Sequence, residues 1–597
     1  MIKHIALTAP AILGLGLTAL VFALPTPDAL SLEPEEVQAE QAQTYVTNVH
    51  LIEEGALTAP QTIQMENGFI TAIEAGLKLA PNAPVIDGSG LTALPGLIDA
   101  HTHSYGTALE DGLRFGVTTN MDMFSDISIL PIAREYRNSV KQTNKADLFS
   151  SGMMATAPGG HGTQYGIPIE PITQAEKARD WVKARKAEGS DYIKIVYIPS
   201  QTQIPSISLD IAKALITTAH EEGIMAVAHI STQRAAQDLI EDGIDGLVHI
   251  FADKEASLEI IALAKKNNVF IIPTLSVIAS VDGKSAKIID GLPEAIRARL
   301  SSMQKQTLSA DFPEHVPGFS YDIALKNVKS FHDAGVVILA GSDAPNPGTA
   351  HGISLHIEMQ HLVEAGLTPA EALHAAAAGP AKAFNLDMRG SVSVGNRADL
   401  VLVGGDPLRT IGDTLNISHV IKNGHKASQK TQDAKSGKTI SEPKLSDFEN
   451  GLTAGDDLEW TPSDDKVANG KSEALLNVDN GAALTVTGEV KSGFPYPWAG
   501  ASIAVKQGTS ELDISKYESI EFSVKGTSGT YRLMSFHAGA AGIPPTQEFV
   551  IGPDWQTVHL SLEDFAGFDS KGFTGFAFVA GPALGAFEFQ LDDVSLK

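Results

Sequence analysis

The chain has no cysteine among its 597 residues, which excludes disulfides and thiolate metal ligands alike. Any metal it holds must be bound by histidine, carboxylate or a modified side chain. Basic residues are scarce as well: 44 Lys and Arg stand against 71 Asp and Glu, a formal charge of -27. That surplus argues against nucleic acid and anionic membrane surfaces as partners. No Gly-x-Ser-x-Gly elbow surrounds Ser342, so it is not read as a triad nucleophile. The apolar run from Ile5 to Leu24 follows Lys3 and leads into Pro25-Thr-Pro-Asp-Ala29, the layout of a secretory signal peptide over residues 1–29. It lacks a clean Ala-x-Ala site and is long enough to span a bilayer. Cleavage near Ala23 or Ala29 is expected, with an uncleaved anchor as the alternative; either implies a periplasmic or secreted body. A chain this long exceeds one core, so several domains are expected.

The stretch Leu94-Pro-Gly-Leu-Ile-Asp-Ala-His-Thr-His103 reads as a buried strand ending in two histidines. Side chains two apart on a strand share a face, so both imidazoles can grip one ion. Before it, residues 45–93 have a β pattern with a hairpin turn at Asn67-Gly68. After it, short apolar strands alternate with amphipathic helical stretches over residues 94–388. The strands are Val117–Met123, Leu148–Ala155, Tyr192–Val196, Met225–His229, Gly246–His249, Val269–Thr274 and Val336–Asp343. With the histidine strand these make eight strand–helix units, the pattern of an α/β (β/α)8 TIM barrel. The insertion from Gly283 to Phe331 is longer than one helix needs and reads as a helical lid. Residues 389–426, including Gly390–Gly395, are β again, and with 45–93 are expected to form a small β-sandwich flanking the barrel. Residues 427–443 read as a linker. Residues 444–597 show short alternating strands, such as Ile520/Phe522/Val524 and Phe587/Phe589/Leu591, expected to build a C-terminal all-β jelly roll.

In such a barrel, chemistry is placed at the C-terminal ends of the strands. Those ends carry His101, His103, Lys194, His229, His249 and Asp343. Taken singly, a histidine on an apolar strand is more often a satisfied core residue, and Asp343 after Gly-Ser could cap a helix. Lys194 between two isoleucines is harder to explain away, because an unpaired buried ammonium is costly. A lysine ammonium cannot ligate, but a lysine carboxylated by CO2 is an oxygen donor. His351, His356, Glu358 and His361 are read as a polar helix face, and Tyr197 as core.

The motifs Pro95–His103, Pro158-Gly-Gly-His-Gly162, Ile193-Lys-Ile195, Ala228-His229, Val248-His249, Gly341-Ser-Asp343, Gly395–Leu402 and Asp406-Pro407 resemble those of the amidohydrolase superfamily, in its imidazolonepropionase/prolidase-like branch. The resemblance runs from about Tyr45 to Gly424. It implies two divalent ions, with Zn2+ the expected metal. His101, His103 and Asp343 would hold one, His229 and His249 the other, and carboxylated Lys194 would bridge them. Asp343 would also move the proton, and His161 matches a substrate-binding histidine. The implied activity is hydrolysis of a C–N bond in a small molecule such as a dipeptide or N-acyl amino acid, with a lactone or phosphotriester as alternatives on the same site. A glycan-binding or assembly factor on a vestigial barrel is the competing reading.

Residues from Lys444 resemble the galactose-binding-like jelly rolls, nearest the complex I intermediate-associated protein family, through Asp447-Phe-Glu449, Leu512–Tyr517, Phe522–Gly526, Trp555 and Leu591-Asp-Asp-Val594. A structural Ca2+ held by Glu449 with Asp592 or Asp593 is one reading; surface charge is preferred. Phe494-Pro-Tyr-Pro-Trp498 could stack on a sugar ring, so a glycan or protein contact through this module is a further expectation.

Overall fold

The computed structural model describes residues 43–597 except 164–168, 200–203, 285–287, 311, 313–318, 430–437, 441, 450, 453, 455–457, 469, 479–482, 493–496, 507–510, 538–543 and 566–567. The expected signal peptide, and most of the 494–498 aromatic segment, lie outside the described residues.

Two four-stranded sheets are built from segments on either side of the barrel region. In the first, Thr44–Val49, Gln61–Glu66 and Phe69–Glu74 run antiparallel, and Val85–Asp87 pairs parallel with Thr44–Val49. The expected turn is present: Asn67 and Gly68 have φ of +51° and +84°, which a two-residue hairpin requires. In the second, Leu91–Pro95, Leu400–Gly404, Ile417–Lys422 and His425–Lys426 are antiparallel. Val46, Ile63 and Met65 share one apolar cluster with Leu400, Leu402 and Ile421. Gly390–Gly395, expected as β, is a turn; Gly395 N bonds Ile70 O at 2.9 Å, and the bridge between Phe69 and Arg397 falls just after it. Two flanking glycines with positive φ hold it out of any ladder.

Between these sheets, strands and helices alternate. Leu97–Thr102, Val117–Asp122 and Asp147–Ser150 form one parallel sheet; Ile193–Val196, Ala226–His229, Gly246–Val248 and Phe270–Ile272 form another. Single parallel bridges link them: Ala155 to Ile195, Ile271 to Ile338, and Thr102 to Ala344. The third strand therefore pairs regularly only to Ser150, not to Ala155. The expected eighth strand, Val336–Asp343, makes bridges but no ladder. Its backbone passes so close to the first strand that a Cβ on Gly341 would lie 2.8 Å from the His101 nitrogen, and at Asp343 φ turns to +54°. Hydrogen bonds still hold it there, from Ala100 N to Ala340 O (3.0 Å) and from Asp343 N to His101 O (2.8 Å). Alternate residues divide between two cores. Leu97, Ile193, Ala226, Leu247 and Ile271 pack among the helices, while Ile98, Met121, Val227, Val248, Ile272 and Leu339 meet in a second cluster. Every segment thus has two buried faces, as parallel strands need.

The helices start where their caps dictate. Ser208, Thr232, Ser257 and Ser320 each accept a bond from the backbone N–H three residues on. Within the insertion the described helices are Ile288–Gly291, Glu294–Arg297 and Ser302–Ser309, followed by the start of Tyr321–Asp333. Ser302–Ser309 is pinned by a capping box of Ser301 and Gln304, with Ser301 Oγ 3.0 Å from Asp111.

From Lys438 the described chain is β-rich, with sheets of seven and six strands, antiparallel but for one pair, enclosing an aromatic core of Phe522, Phe576, Phe578 and Phe589. Lys438–Thr439 already pairs with Leu512–Asp513, and Ile440 is buried. The expected linker to 443 is therefore shorter, because one isoleucine among polar residues anchors its end. Lys444 lies 3.4 Å from Asp447 and 3.6 Å from Asp593, so a lysine ammonium faces two of the acidic groups near the Ca2+ expectation, and Glu449 is exposed.

Candidate metal centre

The strand ends converge on one cavity. His101, His103, His161, Lys194, His229, His249 and Asp343 all line it, so the structure brings together every residue singled out as a ligand or catalytic group. Asp343 is the hub. Its Oδ1 lies 3.1 Å from His101 Nε2 and 3.2 Å from His103 Nε2, and those two nitrogens are 3.4 Å apart. Donors about 2.0–2.2 Å from a tetrahedral ion are themselves roughly 3.4 Å apart, so this triad has the spacing a single divalent cation needs. The second oxygen, Oδ2, faces His249 at 3.9 Å, and the donors of His101, His249 and Asp343 also lie within 4.8 Å of one another. The His229 ring packs on His249 at 4.4 Å between centroids, and His161 lies 5.0 Å beyond it.

Backbone strain aims some of these groups. His249, Thr274 and Asp343, near the ends of the sixth, seventh and eighth segments, have φ of +70°, +51° and +54°. A non-glycine residue with positive φ costs on the order of 1–3 kcal/mol and persists only where its surroundings enforce it. Thr274 had no sequence signal, yet its Oγ1 is 2.7 Å from His249 Nδ1. That contact engages Nδ1, the same nitrogen that faces Asp343 Oδ2, and so fixes how the ring is turned in the cavity, as an outer partner does for a ligating histidine. Asp99 performs the same service for the backbone, accepting from His101 N, Ser342 N and Ser342 Oγ at 3.2, 2.9 and 2.6 Å. Asp122 gathers Ser104 N, Ser125 Oγ and Ser150 Oγ. A carboxylate inside an apolar strand was the available signal for both.

Electrostatics leave the donors in the form a metal binds. Burial drives His101 down to about 3 and His161 to about 4, and holds His229 and His249 well below the usual imidazole range. Burial pushes Asp343 up, but His101 and the hydrogen bonds of His101 and His103 outweigh it, and the carboxyl stays well below its usual range. Neutral imidazoles around a carboxylate are the ligand-competent states. The Lys194 Nζ is buried with no hydrogen-bond partner, and burial lowers its pKa to about 7 against the pull of Asp343 and Asp122. An orphaned amine beside five possible ligands fits a group that is completed by a further reaction.

The histidines and carboxyls further along fare differently. His356 and Glu358, expected on a polar helix face, are fully buried. His356 bonds Phe115 O and Thr414 Oγ1, and Glu358 accepts from Leu275 N, Ser276 N and Ser276 Oγ. The helix Ile353–Glu364 packs on neighbours on both sides, so its polar groups are satisfied internally. His351 is buried too, and His361 pairs with Tyr321. Tyr197 is core, its hydroxyl 3.2 Å from Asp238.

Residues 92–427 match the Amidohydrolase family, and residues 447–572 match Complex I intermediate-associated protein 30. An imidazolonepropionase of Geobacillus sp. (strain WCH70) is 24% identical over 407 residues, 64% of this chain and 91% of that protein. Another from Deinococcus radiodurans is 23% identical over 389 residues, 62% of this chain and 90% of its own length. Among solved structures, a Xaa-Pro dipeptidase with bound methionine in the active site superposes with a TM-score of 0.53 at 21% identity, covering 65% of this chain and 100% of that one. Molinate hydrolase does so with a TM-score of 0.53 at 19% identity, covering 66% and 96%. These likenesses carry a TIM-barrel fold for the N-terminal part, beside a β-rich C-terminal region. With a family match over more than half its length, the chain belongs to the amidohydrolase family.

Proposed function

We propose that this protein is a divalent-metal hydrolase that cleaves a C–N bond in a small amide. The carrying observation is the spacing of His101 Nε2, His103 Nε2 and Asp343 Oδ1, at 3.1–3.4 Å from one another, beside the unpartnered Lys194 amine. His101, His103 and Asp343 would hold one ion, His229 and His249 a second, with a carbamate on Lys194 between them. A donor set of imidazoles and carboxylate oxygens suits Zn2+. Such ions supply Lewis acidity and lower the pKa of water towards about 7. Asp343 takes the proton of the attacking water and delivers it to the leaving nitrogen, which departs poorly unprotonated. His161, neutral and on the cavity wall, orients the scissile carbonyl. The imidazolonepropionases and the Xaa-Pro dipeptidase among the relatives support a C–N bond as the target, with dipeptides and N-acyl amino acids as the first substrates to screen. The N-terminal apolar run supports export. The paired flanking sheets are read as a small β-sandwich, and the C-terminal sheets as a galactose-binding-like jelly roll.

The test is Asp343→Asn. Asparagine keeps the shape and one oxygen donor but cannot carry a proton, and such transfer contributes roughly 10²- to 10⁴-fold. The variant should retain most of its metal, measured by elemental analysis, and lose at least about two decades of kcat on an amide. An ester with a good leaving group should suffer less. A metal-replete variant hydrolysing an amide within about tenfold of the parent would reduce Asp343 to a ligand.

A further inference from the structure

The cavity has a polar floor and an apolar wall. Apart from the histidines, Lys194 and Asp343, the cavity is lined by Val277, Ile278 and Val281 of the helix Leu275–Val281 and by Phe312 and Phe319 of the insertion. Met123, Met154, Val196, Ile230 and Ile250 add to the apolar lining. Among the described lining residues the only cationic side chain other than histidine is Lys194, which belongs to the floor, and no arginine is present. Of the two remaining polar lining groups, the Asn346 amide donates to the Asp343 carbonyl at 2.7 Å, and the Ser231 hydroxyl, buried with no partner among the described residues, is uncharged.

We propose that the substrate portion flanking the scissile amide is apolar and uncharged, selected by Val277, Ile278, Val281, Phe312 and Phe319. This rests on the hydrolase reading and narrows it: dipeptides and N-acyl amino acids carry a carboxylate next to the scissile bond, and the described residues of this wall include no lysine or arginine to meet it. Moving an unpaired carboxylate from water into an apolar site is strongly unfavourable, whereas an aryl or alkyl group gains from burial there. The selected class is therefore a neutral N-aryl- or N-alkyl-amide.

Two substrates isolate the point: N-butyrylphenethylamine and N-butyrylphenylalanine differ only by the α-carboxylate. Their binding to the metal-loaded full chain is measured by calorimetry, and butyrate release is followed separately. The neutral amide should bind at least about a hundredfold more tightly, the scale of an unpaired buried charge. Phe312→Ala and Phe319→Ala should each weaken its binding about tenfold, the scale of a partly buried aromatic. Phe319→Arg should shrink the preference by supplying the absent cation. Equal or tighter binding of the carboxylate, or a preference unmoved by all three substitutions, overturns the proposal. Tight, selective binding of the neutral amide with no butyrate release leaves this inference standing and overturns the hydrolase reading instead.

Discussion

Lys194 is 3% exposed between Ile193 and Ile195, and its Nζ meets no acceptor. A permanent ammonium in that position would be several kcal/mol unfavourable, so a neutral or modified amine is the stable form. The carboxylation proposed above would supply the missing partner by turning the amine into an oxygen ligand. Lys194→Ala should therefore lose metal and activity together, and a small added carboxylic acid should restore part of both. Lys194→Arg should fare no better than alanine, since a guanidinium stays charged and forms no carbamate. Full metal content and activity in either variant would remove Lys194 from the site. The identity of these residues was legible in the sequence because each is an ionisable group ending an apolar strand. Their aim was not. The positive φ at His249, Thr274 and Asp343 follows from backbone packing that no residue type announces, and Thr274, as an ordinary strand-end threonine, carried no mark of its bond to His249.

The helix Ile353–Glu364 shows how element-scale reading fails when both faces are covered. Its His356 and Glu358 lie among Ile353, Leu355, Met359 and Leu362, all buried. Polar residues recurring in a helix usually mark a solvent face, but here they fasten neighbouring elements: His356 reaches Phe115 O at 2.8 Å and Thr414 Oγ1 at 2.9 Å. The strand–helix alternation was legible because period and caps are local. The eighth strand's broken pairing and the early start of the C-terminal sheet at Lys438 were not, since both depend on distant partners. Burial lowers His356 from its usual value to about 4, with the Phe115 carbonyl opposing. A histidine depressed when folded contributes stability above its unfolded pKa of about 6.5 and loses it as pH falls towards the folded value. Between pH 7 and pH 5 that amounts to about 2 kcal/mol. His356→Gln should be less stable at pH 7, but its unfolding free energy should fall less on acidification, so the gap to the parent closes. Other buried histidines are common to both proteins and cancel in the difference. Parallel stability–pH curves from denaturant unfolding would show that His356 does not titrate in this way.

At the scale of the whole molecule, the catalytic part and the C-terminal sheets have separate cores. The apolar cluster that includes the helices around the barrel ends at Ala427, whereas the C-terminal cluster begins at Ile440, and the two share no described residue. A unit with its own core and a polar connection is expected to fold alone. Where the cut falls decides the experiment. The strand His425–Lys426 pairs with Ile421 and Lys422, Ser428 N bonds Asn144 at 2.8 Å, and Gln429 reaches Ser418 O at 3.3 Å. Lys422 is itself fully buried between Asp399 and Asp147, at 2.8 and 2.9 Å, and so ties the flanking sheet to the third barrel strand. Ending the chain at Gly424 would strip that sheet's edge strand with the buried Ala427 and leave the backbone of Ile421 and Lys422 unpaired on that side, bringing water towards a buried ionic cluster. Ending it at Gln429 keeps every one of these contacts. A protein ending at Gln429 should fold cooperatively, bind metal like the full chain and hydrolyse a small amide within about threefold of it, since no described residue beyond 427 lines the site. One ending at Gly424 should melt at lower temperature or fail to accumulate. Loss of metal or activity in the longer protein, despite an intact melting transition, would make the C-terminal sheets part of the catalytic unit.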